Sequence, residues 1–133
     1  MNPSLLSQLM ELTTKAGEII MNFHKHSSDY SIKDDNTPLT AADKASHELL
    51  VNTLMKLTPN TPILSEESSH IPFSVRKSWN EYWLIDPLDG TKDFIQGTGN
   101  YAVHLGLNYR QKPYIGFLEN VNLRYIFDYI LHG

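Results

Sequence analysis

The order of amphipathic segments along the chain predicts an α+β fold, a helix pair layered on a mainly antiparallel sheet. Two stretches of helical periodicity come first, two short apolar runs that end in acidic residues follow, and a longer alternating stretch completes the pattern. In the first stretch, Leu5, Leu9, Leu12, Ala16, Ile19 and Phe23 recur at three- and four-residue steps behind Asn2-Pro3, a capping residue followed by proline at a first helical position. Ser28 to Thr37 is polar and turn-rich, and reads as a short hairpin or exposed loop. Thr40 with Asp43 resembles a capping box for a second helix, which carries Leu50, Leu54 and Leu57 on one face and ends before Pro59.

Pro62 to Ser65 reads as a buried strand leading into Glu66-Glu67, and Tyr82 to Ile85 as another leading into Asp86. Alternation from Tyr101 through Val103, Leu105 and Leu107 to Tyr109 predicts a third strand, with a turn at Arg110 to Pro113 before Tyr114-Ile115. Helices followed by strands favour layers over a regular parallel α/β sheet.

Composition narrows the function classes. The 133 residues are 41% hydrophobic and 20% charged, suited to one packed core. Without cysteine there is no disulfide frame, thiolate zinc site or cysteine nucleophile. A formal charge of −4 argues against broad capture of nucleic acid. No apolar run reaches a membrane span, and Met1 to Met10 lacks a signal-peptide pattern, which together predict a cytoplasmic protein.

The segment richest in chemistry is Asp86-Pro87-Leu88-Asp89-Gly90-Thr91, where a buried strand runs into two acids bracketing a proline turn. Taken alone, Asp-x-x-Asp also fits a simple turn cap. Glu66 and Glu67 end a strand of their own, however, and adjacent strands would gather these acids in one cleft, where concentrated carboxylates call for a hard cation. Gly90 admits close backbone approach to an anion, and the amides from Thr91 onward would point at phosphate if a helical turn begins there. Gly97-Thr98-Gly99-Asn100-Tyr101-Ala102 fits the letters of a dinucleotide fingerprint but is followed by a strand pattern, so that reading is rejected. His24, His26 and His104 have no metal-ligand spacing and read as structural or solvent-facing; Trp79 and Trp83 read as core or edge aromatics.

Thr40-Ala41-Ala42-Asp43, Ser65-Glu66-Glu67-Ser68 and Trp83-Leu84-Ile85-Asp86-Pro87-Leu88-Asp89-Gly90-Thr91 together resemble the motifs of the inositol monophosphatase superfamily. Thr91-Lys92-Asp93-Phe94 is most similar to its 3′(2′),5′-bisphosphate nucleotidase branch, the CysQ type. The resemblance, which extends from the first helix to about Gly116, implies a Mg²⁺-dependent phosphomonoesterase removing the 3′-phosphate of 3′-phosphoadenosine 5′-phosphate. It implies Glu66, Asp86 and Asp89 as metal ligands, with Leu88 ligating through its main-chain carbonyl. Asp43 and Thr91 become the pair that orients the attacking water, with Glu66 also catalytic, and Glu66, Leu88, Asp89, Gly90 and Thr91 face the substrate. Glu67 takes an outer or surface role. Inositol monophosphatase and sugar bisphosphatase activities share these motifs, and the family likeness adds peripheral attachment at the inner membrane to the cytoplasmic expectation.

Beyond Gly116 the resemblance fails: Phe117 to Arg124 replaces the expected small apolar run, and the later Trp-Asp segment of the family has no counterpart. Residues 1–116 are therefore expected to form the metal-binding half, and 117–133 a divergent tail produced by truncation or frameshift. Such a chain is expected to have little or no activity, to act at most as a remnant that binds metal or a partner, and to self-associate through an uncovered sheet.

Overall fold

The computed structural model describes residues 2–25, 38–65, 71–90, 101–110, 112–120 and 125–130. Helix α1 spans Pro3–Lys25 and α2 spans Pro38–Leu57. Strand β1 (Ile63–Ser65) is followed by a single-turn helix α3 (Phe73–Arg76), which the sequence pattern did not reveal. Strands β2 (Glu81–Asp89), β3 (Ala102–Tyr109), β4 (Lys112–Asn120) and β5 (Tyr125–Ile130) complete a sheet of order β1-β2-β3-β4-β5. The β1–β2 pair is parallel and the other three pairs are antiparallel. The expected helix pair on a mainly antiparallel sheet is what the chain forms.

Helix α1 begins as its sequence predicts: the Asn2 side chain accepts the Ser4 N–H at 2.8 Å, satisfying one of the donors that a helix start leaves open. Its buried stripe is shifted from the expected one: Leu5 and Phe23 are only partly buried, and Thr13 joins the fully buried residues. Leu9, Ala16 and Ile20 are fully buried while Ile19 is not, because eleven residues at 3.6 per turn bring Ile20 back into phase with Leu9. Helix α2 starts at Pro38, two residues before the expected cap. Proline is well suited to a first helical position, so Thr40 lies within the helix and Asp43 beyond its first turn, and the capping-box reading is corrected.

The stripe of α2 facing the sheet is Ala42, Ser46, Leu50 and Leu54, spaced four apart and each with no exposed surface. Against the helices lie Trp83 and Ile85 of β2, Val103, Leu105 and Leu107 of β3, and Ile115 and Phe117 of β4. The opposite sheet face exposes Leu84 and Tyr114. The boundary expected after Gly116 falls inside β4, whose Phe117 is buried, and β5 pairs with β4 from Ile115↔Ile130 to Asn120↔Tyr125. The Ser28 to Thr37 segment lies outside the described residues.

Trp83 joins three elements. Its backbone N–H donates to the Pro62 carbonyl at 2.8 Å and its indole N–H to Thr58 Oγ1 at 2.9 Å, while its ring is wholly buried. Trp79 lies half-buried just ahead of β2, its ring 5.9 Å from that of Tyr82. Trp83→Ala should cost about 3–5 kcal/mol of stability by urea unfolding, the range for emptying a large aromatic site. A loss below about 1 kcal/mol would contradict this placement.

Tyr101 is buried beside β3, and burial pushes its phenol above the ordinary 10.0. Above pH 10 the unfolded chain releases this proton while the folded chain retains it, so folding stability falls as pH rises past that value. Tyr101→Phe should remove this contribution, leaving a shallower alkaline decline in unfolding free energy than the wild type shows.

Candidate functional site

The parallel pairing of β1 and β2 brings two chain segments out side by side. Ile63, Leu64 and Ser65 stand opposite Trp83, Leu84 and Ile85, so the residue preceding Glu66 is partnered by the residue preceding Asp86. Ser65 is buried at this edge. Glu66, Glu67 and Thr91 lie outside the described residues, as do most of the residues in the rejected dinucleotide-like segment; the strand expected after that segment is β3.

The sequence suggested that Asp86 to Asp89 forms a turn beyond β2, but the strand continues through both acids and changes register between them. Asp86 is opposite His104 and Asp89 is opposite Ala102, leaving Pro87 and Leu88 facing the single residue Val103. This is a bulge, and its position has a chemical reason. Proline has no N–H to offer a ladder and is tolerated where pairing is interrupted. The Leu88 N–H instead donates to Asp86 Oδ1 at 3.3 Å, and the Pro87 carbonyl accepts the Ser46 hydroxyl at 2.8 Å. Gly90 follows at φ 89°, a left-handed conformation that glycine adopts without a Cβ penalty.

Asp43 is half-buried on α2, one turn before Ser46 and on the same side of the helix. Since Ser46 touches Pro87, the helix that carries Asp43 is anchored at the bulge that carries Asp86 and Asp89. Asp86 is half-buried, whereas Asp89 is exposed and sits with its Oδ2 3.2 Å from His104 Nε2. That pair is open to solvent on both sides, which limits its energetic value. The sequence reading left His104 without a site role because the contact depends on β2–β3 register across a long intervening segment. Ser46 was also missed, although a lone hydroxyl in an otherwise apolar i, i+4 stripe is a signal visible in the sequence.

Carboxylates and main-chain carbonyls are the available donors, with no cysteine in the chain, and this chemistry fits a hard cation such as Mg²⁺. Among the described residues no three His, Cys, Asp or Glu side chains form a metal-holding group. Asp86, Asp89 and the Leu88 carbonyl are the oxygen-bearing groups that the described part of the bulge offers.

A profile of the inositol monophosphatase family matches residues 1–128. The chain belongs to the inositol monophosphatase family. Within this family it is 44% identical over 115 residues to a 3′(2′),5′-bisphosphate nucleotidase CysQ of Aggregatibacter actinomycetemcomitans, a match covering 86% of this chain and 43% of that protein. A protein of the same name from Haemophilus influenzae is 41% identical over 119 residues, covering 90% of this chain and 44% of its own length. Among solved structures, CysQ from Bacteroides thetaiotaomicron, described as a bacterial member of the inositol monophosphatase family, superposes with a TM-score of 0.78 at 31% identity. That superposition covers 96% of this chain and 45% of the other. The chain thus spans less than half the length of the curated relatives it matches.

The exposed His104–Asp89 contact makes a modest demand on stability. His104→Ala should change the unfolding free energy by less than about 1 kcal/mol. A larger loss in urea unfolding would assign the imidazole a structural role that its solvent exposure does not suggest.

Proposed function

We propose that this chain is the metal-binding half of a Mg²⁺-dependent phosphomonoesterase that removes the 3′-phosphate from 3′-phosphoadenosine 5′-phosphate. The observation that carries the proposal is the bulged end of β2, anchored to α2 and standing beside the end of β1. Family membership and likeness to proteins named 3′(2′),5′-bisphosphate nucleotidase CysQ support the reaction and substrate class.

In this reading Asp86, Asp89, Glu66 and the Leu88 carbonyl would hold Mg²⁺, which when bound would supply Lewis-acid stabilisation of the phosphoryl group. By the family resemblance, Asp43 and Thr91 are the pair that would orient the attacking water toward phosphorus. Gly90 admits the substrate phosphate to the backbone, where it and Thr91 provide donors. Water adds to phosphorus as the 3′-oxygen departs with a proton, yielding AMP and inorganic phosphate.

The same reading puts the reaction in the cytoplasm; separately, no helix among the described residues is long and apolar enough to cross a membrane. The sheet face exposing Leu84 and Tyr114 is where self-association of the isolated chain would begin.

The test compares this chain alone with this chain continued by the second half of the Aggregatibacter relative. Phosphate release from 3′-phosphoadenosine 5′-phosphate should require Mg²⁺ in the continued protein and be weak or absent in the chain alone, since an incomplete pocket forfeits positioning. A folded continued protein that preferred inositol phosphate would overturn the substrate assignment. Efficient turnover by the chain alone would overturn its assignment as half of the catalytic unit. Within the continued protein, Asp89→Asn should lower turnover by about 10²- to 10³-fold, because amide oxygen is a poor replacement for an anionic ligand. Near-normal turnover would remove Asp89 from the metal set.

A further inference from the structure

We propose that Ser46 is the positioning residue that fixes the Pro87–Leu88 peptide, and through it the aim of the Leu88 carbonyl at the cation site. This rests on the metal-site reading above and extends it to a residue with no direct contact to metal or substrate.

The Pro87 carbonyl and Leu88 N–H belong to one peptide plane, and each end has a partner. Ser46 Oγ donates to the carbonyl at 2.8 Å, and Asp86 Oδ1 accepts the N–H at 3.3 Å. Both residues of this peptide are unpaired in the β2–β3 register, so the ladder does not set its orientation. The Asp86 contact is the longer of the two and depends on a carboxylate that metal binding would also engage. The Ser46 contact is short, buried and remote from that competition, leaving it as the holder of the plane when a cation is present.

Burial gives the contact leverage. Ser46 has no exposed surface and stands between Ala42 and Leu50, which are also fully buried. Its hydroxyl is therefore the polar member of a packed apolar stripe, and Pro87 is buried beneath it. Removing the hydroxyl would leave a buried carbonyl without its donor and release the rotation that aims the next carbonyl along the chain. Asp43 shares this side of α2, so the same contact sets the distance between its helix and the bulge.

The test uses the 133-residue chain and two readouts that do not require turnover. Hydrogen exchange by NMR reads the Leu88 amide in metal-free protein, with the amides of Leu105 and Ile115 as internal references. Electron paramagnetic resonance titration with Mn²⁺ reads cation affinity. Ser46→Ala should speed Leu88 exchange about tenfold and weaken Mn²⁺ binding about tenfold, while Leu105 and Ile115 exchange as in the wild type. Ser46→Thr, which keeps the hydroxyl, should restore both toward wild-type values; Ser46→Cys, close in size but a weak donor, should fall between.

Equal acceleration at all three amides would mean general destabilisation and overturn the positioning role. Unchanged Leu88 exchange, or unchanged Mn²⁺ affinity in Ser46→Ala when the wild type binds, would also overturn it. Absence of Mn²⁺ binding in the wild type would instead defeat the underlying metal-site reading, and the positioning role with it.

Discussion

Trp83 is the point on which the arrangement of layers depends. Its backbone sets β2 against the segment entering β1, its indole reaches the end of α2, and its ring fills the space between sheet and helices. A residue fixed by burial, one backbone and one side-chain hydrogen bond leaves little freedom for the parallel pair to slip. Strand register has a period of two, so a one-residue slip would turn Ile85 away from the core and Asp86 into it. The cost of burying that carboxylate reinforces the observed alignment.

The consequences of that alignment accumulate toward one end of the sheet. With Ile63 opposite Trp83, Ser65 stands opposite Ile85, so β1 ends at the level where β2 enters its acidic stretch. The bulge at Pro87–Leu88 then breaks the regular alternation, turning a ladder into main-chain groups with other partners. The same proline that interrupts β2 thus creates the carbonyl that Ser46 holds. Stability and site geometry meet in this short stretch: the apolar stripe of α2 packs the core, and its one hydroxyl secures the bulge.

Much of this was legible from residue patterns because it rests on local periodicity. The helix carrying Leu9, Leu12 and Ala16, the strands around Trp83 and Leu105, and the turn after Tyr109 all declare themselves by spacing and turn chemistry. The resemblance carried by Asp86 to Thr91 also identified the family correctly. The bulge was less legible, because a proline between two acids suggests a turn until strand pairing is known. His104 lies opposite Asp86 through a register that no local pattern encodes. Helix α3 is too short for a periodic signal, and the pairing of β5 depends on β4 being already in place.

In the proposed metal site a cation binds at the bulge of β2, beside the end of β1 and next to the Ser46 contact of α2. Paramagnetic broadening of backbone amide signals by substoichiometric Mn²⁺ tests this most directly, since broadening falls steeply with distance from the ion. Signals from Ser65, Asp86, Leu88 and Gly90 should be lost selectively, with weaker loss at Asp43, while Glu81, Tyr109 and Lys112 at the opposite ends of their strands remain sharp. Broadening spread over the acidic surface, or centred away from the bulge, would contradict it.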